Sequence, residues 1–242
     1  MPSIRLLAAG EQGLVVEFGD AIDPALNGRV HDFCRRLSAL HLSGVIEIVP
    51  TYRSALIMFD PFVIQRAELA RHAAKLAETG GADEANAHPR LVTIPVCYGG
   101  QFGPDLDFVA NHNRLGADDV IRIHASRPYK IYMLGFMPGF PYLGGMDGRI
   151  AAPRLPRPRT KITAGSVGIA GNQTGFYPCE SPGGWRLIGR TPIKPFDPES
   201  DKPFLFAAGD FIRFRPVSIG EFERIALDVE SGVYRPEIGE WP

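Results

Sequence analysis

The sequence predicts an α+β protein in two parts, a small antiparallel α+β domain followed by a larger β-rich barrel or sandwich. Three observations carry this. Short strand-like runs bracket one amphipathic stretch in the first eighty residues. The segment "GGADEANAHP", residues 80–89, is small and polar, with little that could pack. From Gly135 to Gly209 the chain places 13 of its 27 glycines and 11 of its 22 prolines, a density that suits a barrel or sandwich with long shaped loops. A chain of 242 residues with 45% hydrophobic content can fill two such cores.

"IRLLAA" and "LVVEF" read as strands around a turn at Gly10 to Gly13, and "VIEIVPTYRSALIMFD" supplies two more, joined near Pro50. Between the pairs, Asp23 and Pro24 make a helix start. Leu26, Val30, Phe33, Leu37 and Leu40 then recur at helical spacing. A second helix is expected over Gln65 to Ala77, before Gly80 and Gly81. The order ββαββα suggests a ferredoxin-like antiparallel sheet with two helices on one face. The boundary is expected in the polar segment, giving domains 1–83 and 84–242. The second domain opens with the alternating "RLVTIPVCY". A helix is expected from Pro104 and Asp105 to about Leu115, and a short one in "GADDVIRIH". After the glycine- and proline-rich region, "DFIRFRPV" closes the sheet before a terminal helix around Ile219 to Val229.

The formal charge of -1 and the pI near 6.6 give no global field to attract nucleic acid. The opening "MPSIRLLAAGEQGLVVEFGD" lacks a basic leader followed by a sustained apolar run, so the expectation is no signal peptide, no membrane partner and a cytoplasmic location. Cys34, Cys97 and Cys179 form an odd set without paired spacing, which favours reduced thiols over a disulfide framework or a zinc site. The histidines offer no HExxH and no metal-ligand spacing, so no metal is expected on this chain.

Three stretches carry chemistry. "GFMPGFPYLGG", Gly135 to Gly145, combines four glycines and two prolines with Phe136, Phe140 and Tyr142. It reads as a bent strand end whose rings plug a core, or as the rigid wall of a cleft or subunit interface formed by these rings and Pro138. Between Arg149 and Lys194 eight basic residues face one acid, Glu180, which favours anion binding over an evenly mixed solvated face. "PRLPRPRTKITAGSVGIAGNQTG" has glycines at 165, 168, 171 and 175, at the wrong spacing for a dinucleotide fingerprint, and the chain contains no P-loop. Ser166 lacks the first glycine of a nucleophile elbow, so contact with a ligand or closure of a turn is favoured over nucleophilic attack. His124 precedes a strand at a helix end, where a packed or capping role competes with acid–base chemistry. "TGFYPCESPGGWRLIGRTP" adds Tyr177, Trp185 and Arg190 beside Gly183 and Gly184, either a hairpin with a packed tryptophan or a second wall of a site.

Taken together, "YKIYMLGFMPGFPYLGG", "PRTKITAGSVGIAGNQTGFYP" and "SPGGWRLIGRTP" resemble the KipI/PxpB family, also called allophanate hydrolase subunit 1. The similarity is strongest from about Arg90 to Val217. Members serve as the B subunit of a bacterial 5-oxoprolinase, as inhibitors of a sporulation histidine kinase, and as half of the carboxyltransferase region of urea carboxylase. Relatives often read closer to "PRTRVPAGSVG", where this chain has Lys161, Ile162 and Thr163. The resemblance implies a C-terminal cyclophilin-like β-barrel, without implying prolyl isomerase activity. It also implies partners of the KipA/PxpC and PxpA types. The expected activity is ATP-dependent opening of 5-oxoproline to glutamate, with Mg as the ATP counter-ion shared with the partners and no biotin on this chain. Alternatives are a histidine-kinase inhibitor and a carboxyltransferase half acting on urea-derived amides. On this reading His124, Arg159, Ser166 and Tyr177 are candidate catalytic groups. Arg154, Arg159, Gly165, Ser166, Gln173, Thr174 and Arg190 would bind substrate or anion, and Phe136, Pro138, Phe140, Tyr142 and Trp185 would form the cleft wall or partner seam. Replacing Arg159 with alanine is expected to cripple turnover while sparing the fold.

Overall fold

A computed structural model of the chain describes residues 4–79 and 89–241. The chain divides into two compact units, Met1–Ala87 and His88–Pro242. The boundary expected after residue 83 lies outside the described residues.

The first unit contains β1 (Arg5–Ala9), β2 (Gly13–Glu17), α1 (Pro24–Ala39), β3 (Val45–Pro50), β4 (Ser54–Phe59) and α2 (Arg66–Glu78). The Asp23 carboxylate accepts the Ala25 and Leu26 amides, both at 2.9 Å, and Pro24 begins α1. The two together satisfy orphan donors and preset the first helical φ. The strands lie in the order β1-β2-β4-β3, every neighbouring pair antiparallel. It follows that β2 and β3 run the same way with β4 between them and α1 as the crossover, a split βαβ unit. Relative to the ferredoxin-like β-α-β-β-α-β order, the strand that would come last stands first. Leu14, Val16, Ile57 and Phe59 from the sheet meet Val30, Phe33 and Leu37 of α1 and Leu69 and Ala73 of α2 in one core.

The second unit is built around a nearly closed, barrel-like sheet. Its strands are β5 (Arg90–Tyr98), β6 (Tyr129–Leu134), β7 (Pro141–Gly144), β9 (Ser166–Ala170), β10 (Gln173–Phe176), β12 (Arg186–Arg190), β13 (Phe211–Pro216) and β14 (Ile238–Glu240). The order runs β10-β9-β12-β5-β13-β6-β7, with β14 also paired to β5. Among the described residues of this sheet only β5 and β13 pair in parallel. The two end strands approach one another, since a Cβ on Gly175 would stand 3.1 Å from the Pro141 carbonyl oxygen. Val92, Ile94 and Val96, at alternate positions of β5, fill the interior together with Ile131, Val167, Ile169 and Phe214. Helices α3 (Leu106–His112), α4 (Ala117–Ala125) and α5 (Ile219–Glu230) accompany this sheet. A separate two-stranded sheet, β8 (Arg159–Ile162) with β11 (Ser181–Gly183), stands over the outer face of β9 and β12. Under it lies a second cluster of Phe140, Ile162, Ala170, Tyr177, Trp185 and Leu187.

The expected helices form within a few residues of their anticipated ends; the helix after Pro104 is shorter, Leu106–His112. The short β14 was not legible in the sequence, because three exposed residues carry no alternation to read. Cys34, Cys97 and Cys179 are free thiols. Among the described residues no helix is long and apolar enough to cross a membrane.

Gly144 shows why the aromatic stretch needs glycine. A Cβ there would overlap the ring of Tyr132, which is itself buried. We expect Gly144→Ala to destabilise the chain by about 1–3 kcal/mol or more through overpacking, measured by urea unfolding. An unchanged midpoint would show that the Tyr132 ring yields freely.

Candidate functional site

The connection between β6 and β7 is held in an uncommon backbone conformation. Phe136 has φ 66° and Gly139 φ 79°, both left-handed. Phe136 is non-glycine, aromatic and 69% exposed, so the chain keeps it there at a cost. Phe140, four residues on, is buried and acts as the hub of the cluster. Its ring centroid lies 5.8 Å from Phe136, 5.1 Å from Tyr142, 5.8 Å from Tyr177 and 5.8 Å from Trp185, all edge-to-face. Such geometry sets positive ring edges against negative faces and fixes the rings mutually.

These rings, with Arg154, Gln173 and the stretch Pro182 to Gly184, line a pocket of about 170 Å³. Gly183 is required there, because a Cβ would stand 2.5 Å from the Tyr177 hydroxyl oxygen. Burial pushes the Tyr177 phenol up, against a hydrogen bond to the Trp185 backbone and the charges of Arg154 and Arg159. Burial likewise pushes Tyr142 up, again opposed by Arg154. Both phenols therefore stay protonated, and Arg154 stands near each.

The basic stretch is less positive in space than in sequence. Arg149 pairs with Asp147 at 2.8 Å, Arg159 with Asp105 at 2.9 Å, Lys161 with Glu180 at 2.8 Å, and Arg186 with Asp105 at 3.8 Å. Asp147 and Asp105 come from outside the Arg149–Lys194 window. Among the described residues Arg154, Arg157, Arg190 and Lys194 have no ion pair.

Arg159 is thus committed internally rather than aimed at a ligand. Its guanidinium donates to Asp105 Oδ1 at 3.0 Å and to the Trp185 carbonyl at 3.4 Å. Asp105 also accepts the Leu187 amide at 2.7 Å. Asp105, expected only as a helix start, makes no side-chain cap on α3 and instead ties that helix to β8 and β12. A role so remote in sequence from its partners left no local signal.

The other expected groups fall into two sets. Phe136, Phe140, Tyr142, Arg154, Gln173, Tyr177 and Trp185 are brought together at the pocket; Pro138 is in the same connection but does not line it. His124, Ser166, Thr174, Gly165 and Arg190 are not brought to it. His124 is fully buried, stacked on Phe214 at 4.5 Å. Thr174 donates its hydroxyl proton to the Gly168 carbonyl at 3.0 Å and so accepts from His124 Nε2 at 2.8 Å. The imidazole Nδ1 is then the acceptor for the Tyr98 hydroxyl at 2.7 Å. One neutral tautomer satisfies the whole chain of bonds. Ser166 is buried and donates its hydroxyl to the Thr163 carbonyl at 2.7 Å. Gly165, at φ 81°, makes the turn between β8 and β9. Among the described residues no group of three or more His, Cys, Asp or Glu side chains could hold a metal ion.

Against known proteins, the family model described as carboxyltransferase domain, subdomain C and D, matches residues 4–206. The chain is 43% identical to the 5-oxoprolinase B subunit of Bacillus subtilis (strain 168), over 92% of this chain and 95% of that protein. It is similar to the crystal structure of TTHA0988, with TM-score 0.75 and 34% identity over 86% of this chain, and it spans 40% of that chain. It also shares the fold of the K. lactis urea amidolyase, with TM-score 0.83 and 24% identity over 98% of this chain and 16% of that one.

Two outcomes follow from the geometry. Arg159→Ala should lower stability by about 1–3 kcal/mol, because it removes a partner from the sheltered Asp105; an unfolding midpoint equal to wild type would contradict the tie. Burial pulls the His124 pKa from 6.5 down to about 3. Above the unfolded-state value both states are neutral there. As pH falls from 6.5 toward 3, only the unfolded chain takes up this proton, so stability falls through that window by up to about 5 kcal/mol. Urea midpoints measured across the window should fall less steeply in His124→Gln; parallel slopes would show that other groups set the acid sensitivity.

Proposed function

The chain belongs to the family of the carboxyltransferase domain, subdomain C and D, and on that premise we propose that it is the B subunit of an ATP-dependent 5-oxoprolinase. In this reading it binds and orients the lactam for a reaction completed with KipA/PxpC-type and PxpA-type partners. The observation that carries the proposal is the aromatic pocket with Arg154 at its wall. Its roughly 170 Å³ suit a small ring, and its rings supply apolar edges and faces. Arg154 has no carboxylate partner among the described residues and can fork onto the substrate carboxylate. Tyr177 and Tyr142, kept protonated, are donors for the lactam oxygen.

Amide resonance makes a lactam carbonyl a weak electrophile, and ATP is the activating co-substrate of the proposed reaction. The pocket does not fit a nucleoside triphosphate: it is below the usual range of about 300–1,000 Å³ for ligand sites, and its one cation suits a single carboxylate. ATP and its Mg counter-ion are therefore assigned to a partner subunit. What this chain contributes is position: the ring held against Phe140 and Trp185, its carboxylate at Arg154, its amide oxygen turned toward a phenol.

Urea and its derivatives are the alternative substrates suggested by the urea amidolyase likeness, which at 24% identity speaks for the fold alone. Neutral urea has no carboxylate for Arg154, which favours the lactam over urea itself. A histidine-kinase inhibitor needs an exposed patch rather than a concave site with an unpaired arginine.

The test is glutamate formation from 5-oxoproline and ATP by this chain with its A-type and C-type partners, each omitted in turn. Activity should vanish when this chain is left out, and this chain alone should show none. Arg154→Gln should raise KM for 5-oxoproline roughly tenfold to a hundredfold with a smaller change in kcat, as loss of a charge-assisted contact made in ground and transition states requires. Full activity without this chain, or an unchanged KM in the variant, would refute the assignment.

A further inference from the structure

The four basic residues of the Arg149–Lys194 stretch that lack an ion pair among the described residues differ in one respect. Arg154, Arg157 and Lys194 are exposed, and water compensates their charge. Arg190 is half-buried. The fold has taken its guanidinium partly out of water without supplying a carboxylate, an arrangement that is costly unless an anion completes it.

Its position is defined by the sheet. Arg190 stands opposite Ser166 on β9 and opposite Cys97 on β5. Directly opposed residues of an antiparallel pair share a face, so the three side chains form one row. Tyr177 continues the row, since its amide donates to the Ser166 carbonyl at 3.0 Å. Ser166 and Cys97 are both buried, so the arginine stem runs between a hydroxyl and a thiol. Nε of Arg190 donates to the Ala164 carbonyl at 2.9 Å, which orients the fork. Its Nη groups have no protein acceptor among the described residues. The neighbouring turn is closely packed: Gly165 is left-handed, and any Cβ on it would overlap the Thr191 carbonyl. The guanidinium is therefore oriented beside this turn by its own hydrogen bond to Ala164. Burial also draws the Arg190 pKa down, as expected where no counter-charge is present.

We propose that the Arg190 fork is an oxyanion-binding site, taking a phosphate or carboxylate group beside the 163–166 turn. It is distinct from the aromatic pocket, about 10 Å away along the row by the spacing of two strands. It does not depend on what the pocket binds. The row joins them physically, because Tyr177 belongs to both.

The probes are inorganic phosphate and acetate, added to the full chain against chloride at equal ionic strength. The readout is the arginine Nε–Hε resonances by NMR, with that of Arg190 assigned by its loss in Arg190→Lys. The Arg190 resonance should shift saturably, whatever the Arg154 resonance does. A stronger response to phosphate would assign a phosphoryl group, and a stronger response to acetate a carboxylate. In Arg190→Gln, anion-dependent thermal stabilisation should weaken roughly tenfold or more, while Arg157→Gln, at an exposed arginine outside the pocket lining, keeps it. Arg190→Lys, which preserves stem and charge, gives the same comparison should the glutamine variant not fold. The proposal is overturned if neither anion shifts the Arg190 resonance, or if anion stabilisation is undiminished in both position-190 variants.

Discussion

The wall formed by β9 and β12 is buried on both faces, and much of the second unit follows from that. Every residue of Ser166–Ala170 is buried. Val167 and Ile169 enter the barrel interior, whereas Ala170 belongs to the outer cluster with Phe140, Tyr177 and Trp185. The outer-facing positions of β9 are small, because the tryptophan lies against them: a Cβ on Gly168 would stand 3.2 Å from the Trp185 Cβ. A wall of small residues lets large rings settle onto it, and the rings then create a pocket without breaching the barrel. The β8–β11 pair covers them from outside. Packing on both faces thus explains in one step the glycine spacing, the aromatic loop and the place of the site.

Charge is arranged by the same economy of position. Asp105 lies 54 residues from Arg159 in sequence, yet it holds that arginine, the Leu187 amide and, more distantly, Arg186. Arg186 in turn lies over the Phe108 ring at 3.5 Å. One carboxylate therefore locks the start of α3, the edge of β8 and the strand that follows the tryptophan. The cations left over are those that could meet a ligand, and they are fewer than the local surplus of basic residues suggests.

The two-part α+β organisation was legible because periodicity and punctuation are local properties. The stripe from Leu26 to Leu37 and the Asp23–Pro24 start yield α1 directly, and the glycines and prolines mark the β-rich region. The aromatic wall was legible for a similar reason, since Phe136, Phe140 and Tyr142 crowd one short loop. Strand order was not, as β5 pairs with β12, β13 and β14 from distant parts of the chain. Nor was the fate of individual polar groups. Arg154 and Arg159 look alike in "PRLPRPRT", and only the arrival of Asp105 from a remote helix start separates them. His124 and Thr174 read as site residues because their types are catalytic; burial and a closed chain of hydrogen bonds place them in the core.

That separation bears on how the pocket could work. Of the expected acid–base groups, His124 is held neutral in the core and Ser166 donates its proton to a backbone carbonyl. Tyr177 reaches the pocket but keeps its proton, because burial opposes the phenolate. A site lined by rings, one unpaired arginine and protonated phenols can bind, orient and donate hydrogen bonds. It offers no group poised to remove a proton near neutral pH, since a base must have a pKa near the working pH to act. A hydrolytic reaction on a ligand held here therefore needs its base from outside the pocket, and a second chain facing Phe136 and the open rim is the source most consistent with the proposed subunit role. The exposed, left-handed Phe136 fits that arrangement: an aromatic kept at backbone cost on the mouth of a pocket serves either the ligand or the chain that closes over it.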